Sequence, residues 1–340
     1  MLKKILKGFF VFLVSFVVAF LLFLLYAIQP GISERIWPKS GVIQFSIPSS
    51  APIPTPQGLR VVTYNIGYGS GEKNNKGAIL SREEVLANLD AMVERLKSPK
   101  PDLVFLQEVD FHAHRTFDIN QFRYLAERLQ MPYGAYVVTW NKRYVAWPYW
   151  PFSGHFRRMV SGQAVLSRYP ILGQQLIEFP KPAGNPFWYN WFYLDRIVQH
   201  LTLKIGEREA SVYNVHLEAF SSETRREQLE KVGQLAKADP TPLKLVAGDF
   251  NLAAPIKSGT EDEDADRTGL LPAFSKNTGF QSEGLQAPFY SFSSWDPAKR
   301  IDHVFYAPTF VLQNAGNLEG LLASDHLPVW VELNMAQPSN

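Results

Sequence analysis

Residues 244–252 read KLVAGDFNL. The apolar run Leu245-Val246-Ala247 has the composition of an interior strand, and it ends on Gly248, Asp249, Phe250 and Asn251. Side chains alternate across a strand, so Asp249 and Asn251 fall on one side of its end while Phe250 and Leu252 turn to the other. A carboxylate and a carboxamide held side by side are suited to fixing a water and an anionic oxygen relative to each other. Turn formation before a helix is the plainer use of the same residues.

Working outward, other apolar runs also deliver polar residues at their ends. Leu59–Ile66 (LRVVTYNI) is a strand by its β-branched content, and Asp102–Leu106 is a buried strand leading into Gln107-Glu108-Val109-Asp110. Ala135–Thr139, Gln163–Leu166, Ile197–Ile205, Ala210–Leu217, Arg300–Tyr306, Phe310–Leu312 and Pro328–Leu333 complete the strands. Ser81-x-x-Glu84 is a capping box, and Val85, Leu89, Met92, Val93 and Leu96 follow it at helical spacing. Further helices fit Asn120–Leu129 and Glu223–Ala238, and residues 257–267 are acidic and expected to be flexible. Two sheets with helices outside is the simplest packing of this order. A single doubly wound sheet is the competitor, but Gly67-x-Gly69-x-Gly71 lacks the full spacing of a nucleotide fingerprint.

The chain has 340 residues, 34 Lys+Arg against 32 Asp+Glu, and no Cys. That excludes disulfides, zinc-thiolate sites and a cysteine nucleophile. Residues 1–30 hold Lys3, Lys4 and Lys7 and no acid, which leaves 31 basic against 32 acidic side chains, a net −1, in the rest. Such a balance does not mark a nucleic-acid binder, although it leaves room for a local basic patch.

Residues 9–28 carry no charge and as a helix span about 30 Å, the thickness of a bilayer core. A cleavable signal peptide is the rival, with a shorter apolar region and a small-x-small site, which Tyr26-Ala27-Ile28-Gln29-Pro30 does not supply. The expected organisation is therefore a basic cytoplasmic end (1–8), a transmembrane anchor (9–28), a Pro/Ser-rich tether (29–58) and one catalytic domain (59–334) on the extracytoplasmic side.

In order along the chain stand TYNI (63–66), LQEV (106–109), SGQAVLSRYPI (161–171), NVHL (214–217), GDFN (248–251), RIDHVF (300–305) and SDHLPV (324–329). This ordered set resembles the endonuclease/exonuclease/phosphatase superfamily, which includes DNase I-like nucleases, inositol polyphosphate 5-phosphatases and neutral sphingomyelinases. The resemblance implies a four-layer α/β sandwich, two central mostly antiparallel sheets flanked by helices, with a divalent ion, Mg2+ or Mn2+, at its mouth. It implies Glu108 as metal ligand with Asn65 beside it and Asp325 completing the surroundings. Asp249 would orient or deprotonate the attacking water, Asn251 would hold a phosphoryl oxygen, and Asp302 would orient His326, which contacts the phosphoryl oxygens. His216 falls where relatives place a group that contacts the phosphate or assists the leaving group.

The residue types suit that chemistry on their own terms. Phosphate-ester hydrolysis needs an aligned water and neutralised equatorial oxygens; carboxylates suit hard ions; a carboxylate partner fixes an imidazole's tautomer; a neutral carboxamide donates to an anion. Each has a structural alternative: Asn65 and Asp249-Asn251 as turn formers, Glu108 in an ion pair, His216 as a satisfied sheet-end histidine, Asp302 as a purely structural residue and Asp325 as a loop cap. One-metal and two-metal arrangements both remain open.

Two features bear on the substrate. Aromatic residues crowd 140–156 and 187–193 beside Lys142, Arg143, Arg157 and Arg158, a composition suited to the headgroup region of a bilayer, to stacking on single-stranded bases, or to core packing. An anchor with an outward domain also keeps the site near a membrane. The expected activity is thus hydrolysis of a phosphodiester in a lipid headgroup by a membrane-held monomer. An extracytoplasmic nuclease, an inositol-phosphate-type phosphomonoesterase and a non-catalytic binding protein are the alternatives.

Overall fold

The computed structural model describes residues 1–47, 57–73, 79–254, 269–283 and 289–336. The acidic stretch 257–267 and residues 48–56 of the expected tether lie outside the described residues. In chain order the elements are α1 (Leu2–Ala27), β1 (Ser40–Gln44), β2 (Gly58–Asn65), α2 (Arg82–Lys97), β3 (Leu103–Asp110), α3 (Gln121–Leu129), β4 (Tyr133–Val145), β5 (Arg157–Ser167), β6 (Ile171–Glu178), α4 (Phe187–Asn190), β7 (Ile197–Ile205), β8 (Arg208–His216), α5 (Ser222–Ala238), β9 (Leu243–Asp249), α6 (Leu270–Thr278), β10 (Gln281–Ser282), β11 (Asp302–Tyr306), β12 (Phe310–Asn317) and β13 (Val329–Met335).

One sheet runs β1-β4-β5-β3-β2-β13-β12 and the other β10-β11-β9-β8-β7-β6. Each is antiparallel apart from one parallel pair, β2 with β3 and β8 with β9. Parallel neighbours need a crossover, and α2 and α5 supply it. The capping box that opens α2 is complete: Glu84 N donates to Ser81 Oγ (3.1 Å) and Ser81 N donates to Glu84 Oε2 (2.7 Å), a cap worth about 1 kcal/mol.

Strand alternation sorts the apolar side chains into three layers. On β2, Leu59 and Val61 pack between the sheets with Phe105, Val212, Leu245 and Val331. Val62 and Tyr64 face the other way, against Val85 and Leu89 of α2 and Phe122 of α3. On β9, Val246 meets Leu229 and Val232 of α5 and Phe274 of α6. Helices, sheet, sheet, helices is the expected four-layer sandwich, and its two sheets are mixed. The helix α6, with Pro272 in its first turn, is an addition to the elements expected from the sequence.

Sheet pairing is very close at Gly248, as it is at Gly162 against Val137. The φ of Gly248 is 151°, and a Cβ there would lie 1.9 Å from the Val215 carbonyl oxygen of β8. Gly248→Ala should therefore force β8 and β9 apart and cost more than about 3 kcal/mol. Thermal unfolding is the check, and an unchanged midpoint would show that the approach is not needed.

The N-terminal region departs from the expected tether. β1 pairs antiparallel with β4, from Ser40 opposite Val137 to Gln44 opposite Tyr133. The Asn141 side chain accepts from the backbone N–H of Gly31 (2.7 Å) and Ile32 (3.2 Å) and donates to the Ile32 carbonyl (2.9 Å). Trp37 packs on Phe111 and Phe45 on Phe122. Residues 29–47 thus belong to the folded body: the proline content that suggested a loose chain sits beside a short strand whose partner is far along the sequence.

The helix α1 is long and apolar enough to cross a membrane, and its apolar stretch is not buried against the rest of the chain. Only its last turns touch the domain. The Phe23 ring stands 5.3 Å from Tyr144, Arg143 lies 5.2 Å over the Tyr26 ring, and Arg143 N donates to the Gln29 carbonyl.

Candidate active site

At one end of the sandwich the strand faces that line the central core turn from apolar to polar. On β9 the inward series Leu245, Ala247 continues to Asp249; on β8, Val212 leads to Asn214 and His216; on β2, Leu59, Val61 and Thr63 lead to Asn65. Sheet register then sets the neighbours. His216 of β8 and Asp302 of β11 both stand opposite Asp249, one on each side.

Asn65 ties the two sheets at this end. Its Nδ2 donates to Asp249 Oδ2 (3.0 Å) and reaches Glu108 Oε1 (3.3 Å), while its Oδ1 accepts from Gly67 N (3.0 Å). Glu108 arrives there because β3 shifts register between Leu106 and Val109 and the residue takes φ 51°. A bulge of this kind re-aims a side chain that regular pairing would send elsewhere. Asp249 Oδ1 accepts from Asn251 N (2.8 Å), and Asn251 Nδ2 donates to the Leu217 carbonyl (2.9 Å).

Two histidines flank Asp249 Oδ2: His216 Nε2 at 3.5 Å and His326 Nε2 at 3.8 Å. The other ring nitrogen of His326, Nδ1, is 2.8 Å from Asp302 Oδ2. The loop before β13 is held in place by Ser324, whose Oγ donates to the Asn65 carbonyl (2.8 Å) and accepts from His326 N (3.1 Å). Asp325 Oδ1 lies 3.3 Å from the same hydroxyl. Asn65, Glu108, His216, Asp249, Asn251, Asp302, Asp325 and His326 therefore come together at one place.

Electrostatics separates the two histidines. Burial acts to lower the His326 pKa, but the charges of Asp302 and Asp249 and the Asp302 hydrogen bond raise it to about 10. Burial, then the positive charges of Arg196 and His326, hold His216 well below the ordinary histidine value. At neutral pH the site thus pairs a cationic imidazole with a neutral one. Burial and the nearby Asp302 carboxylate push Asp249 up to about 6, against the pull of His326 and of the Asn65 and Asn251 donors.

That rise comes first from burial and then from the second carboxylate, and a cation between the two would oppose it. Asp249, Asp302 and His326 offer ligand atoms within 4.8 Å of one another, a set able to hold a divalent ion once His326 gives up its proton, and the buried Asp302 Oδ1 has no hydrogen-bond partner among the described residues. Oxygen-rich donors of this kind fit a hard cation.

Further side chains, Gln107 of LQEV and Asn214 of NVHL among them, take part beneath and beside the expected residues. Under the site, Gln107 Nε2 of β3 donates to Asn214 Oδ1 of β8 (2.7 Å), and Asn214 Nδ2 donates to Gln199 Oε1 (3.1 Å). These buried amides join the two sheets where the core becomes polar. Asn214 was legible from its place two residues before His216, on the same strand face. Arg196, 5% exposed, lines a narrow cleft with Tyr68, Glu108 and His216. Its Nε is 3.7 Å from Glu218 Oε2, and Nε and Nη1 are buried without hydrogen-bond partners among the described residues. No motif points to it; its proximity to the site arises only from folding.

The sequence profile described as the Endonuclease/Exonuclease/phosphatase family matches residues 62–326. The chain belongs to that family. The family fold and the buried acidic–histidine cluster make it a metal-dependent phosphoesterase- or nuclease-type hydrolase. No curated protein matches the chain. Among solved structures it is similar to the endonuclease/exonuclease/phosphatase of Beutenbergia cavernae, at 22% identity and TM-score 0.61 over 83% of this chain and 72% of that one. It is also similar to a mannosyl-6-phosphatase of Bacteroides thetaiotaomicron, at 18% identity and TM-score 0.55 over 81% and 99%. D. rerio TDP2, complexed with single strand DNA product, aligns at 17% identity and TM-score 0.55 over 82% and 100%. At such identities these likenesses speak for the fold. They place this member of the family among nuclease-type and phosphatase-type structures alike.

Proposed function

We propose that this family member hydrolyses a phosphodiester, with Asp249 orienting and deprotonating the attacking water and Mg2+, or Mn2+ in its place, as the resident ion. The observation that carries the reading is the position of Asp249: buried, its pKa raised to about 6, with Asn65 and two histidines on its side chain. Glu108 and Asp325 would hold the ion, with Asn65 orienting Glu108. Asp302 and Asp249 are the less suited set, because Asp302 already engages His326 Nδ1 at 2.8 Å. When bound, the ion neutralises charge building on the phosphoryl oxygens. The cationic His326, its ring fixed by Asp302, donates to a phosphoryl oxygen. Asn251 donates to another, and the neutral His216 stands by the leaving group.

A nucleic-acid strand is the substrate class that the comparisons favour, through the nuclease-type relatives of this fold. A lipid headgroup is the second class, favoured by α1 and by exposed aromatic residues near the site. We assign residues 9–28 as a membrane anchor, with 1–8 cytoplasmic by the lysines that precede it and the catalytic region, extended N-terminally by β1, on the other side as a monomer. The full chain, assayed with Mg2+ and then EDTA on linear DNA, RNA, phospholipid vesicles and phosphoinositides, tests the reading. EDTA-sensitive shortening of nucleic acid supports the first class and release of a phosphorylated headgroup the second. Release of inorganic phosphate alone would overturn phosphodiester cleavage in favour of a phosphomonoesterase.

A further inference from the structure

We propose that the exposed rings of the β4–β5 loop and of the α4 segment form one seat on a lipid surface, so that the chain meets the bilayer through this seat as well as through α1. The inference rests on α1 as a membrane anchor and is independent of which phosphodiester is cleaved. In the β4–β5 loop Tyr149 is 62% exposed, Trp150 74% and Phe152 67%; in and beside α4, Phe187 is 70% exposed and Trp188 53%. The alternation in 187–193 that would suit a buried strand is instead a short helix with its rings outward. Core packing accounts for Trp140, Phe156 and Tyr193 but not for these exposed rings.

What covers them is indicated by what they are joined to. A row of ring contacts runs from the last turns of α1 to the loop tip. Phe23 stands 5.3 Å from Tyr144, Tyr144 Oη is 2.8 Å from His155 Nδ1, and His155 and Phe152 lie 5.4 Å apart, with Trp150 a further 5.1 Å on. The strand that leads into this loop is tied to the chain just past α4, since Trp140 Nε1 of β4 donates to the Phe192 carbonyl (2.8 Å). The row begins a little over one turn before the helix end at Ala27, near the level at which a spanning helix leaves hydrocarbon for headgroups. Arg143, over the Tyr26 ring and bonded through its N–H to the Gln29 carbonyl, puts a cationic group at that level. Rings with one polar edge, beside basic side chains, are the composition of a membrane–water interface. The α4 segment also ends on Tyr193, whose hydroxyl donates to Glu218, the partner of Arg196 in the cleft. The chain that leaves α4 thus continues into the lining of the cleft at Leu194, Asp195 and Arg196.

The helix α1 contains no Trp, so indole fluorescence reports on the domain and not on the anchor. The full chain is reconstituted in phosphatidylcholine bilayers, with and without bromine on the acyl chains near the headgroups. Bromination should reduce Trp emission, and the double variant Trp150→Phe/Trp188→Phe should lose most of that reduction. The variant should still float with vesicles and still cleave soluble bis(p-nitrophenyl) phosphate as the parent does. Emission indifferent to bromine in a chain that floats overturns the seat and leaves the anchor standing. A chain that does not float overturns both. Emission indifferent to bromine but quenched saturably by single-stranded DNA overturns the seat and makes the rings a platform for bases.

Discussion

Asp249→Asn should slow turnover by about 10²- to 10⁴-fold, the usual worth of a positioned general base, and should leave the metal-free protein at least as stable as the parent. The second half of that expectation separates catalysis from folding. Asp249 has its pKa raised from 3.8 to about 6, chiefly by burial and by Asp302. A carboxyl that holds its proton more tightly when folded lowers stability as pH climbs from about 4 to about 6, and the deficit persists above that range. Its size is up to about 3 kcal/mol. Asparagine keeps the volume and one acceptor and carries no charge, so the deficit disappears with the carboxylate. Steady-state kinetics and a thermal melt at pH 7 without metal read both effects. A wild-type rate, or a fall in midpoint that accounts for the lost activity, would remove Asp249 from the chemistry.

Glu108→Gln should raise the half-saturating Mg2+ concentration by at least about 10-fold, the lower range seen even when groups behind a ligand are lost. Glutamine preserves the bulge at φ 51° and an acceptor for Asn65, so what changes is the charge offered to the cation. Calorimetric titration of Mg2+ into the variant, beside the activity titration, gives affinity without relying on turnover. An unshifted titration in Glu108→Gln with a shifted one in Asp302→Asn would place the ion on the buried Asp249, Asp302 and His326 instead.

The parts of the fold that were legible in advance are those written in local pattern. The β-branched content of LRVVTYNI marks β2, alternation in KLVAGDFNL sets Asp249 apart from Phe250, and the capping box at Ser81 marks the start of α2. Features that depend on a distant partner were not legible. β1 is too short to show a period and owes its existence to β4. Glu108 faces the site because of a register shift that only pairing with β5 creates. Arg196 is a lone arginine in LDRI until β7 brings it beside His216. The aromatic run at 186–193 is misleading because its spacing satisfies a strand and a short exposed helix equally.

The Asn141 clamp on Gly31 and Ile32 has a kinetic meaning. An enzyme on a leash sweeps a hemisphere and samples whatever solute drifts through it. One bolted to its helix within a few residues has a single altitude. With α1 in a bilayer, the catalytic mouth patrols a plane, and bonds held above or below that plane are out of its range. For a substrate held in the same bilayer, the rate would follow how many molecules occupy each unit of area and how fast they move laterally; a soluble strand would have to come down to that plane to be cut.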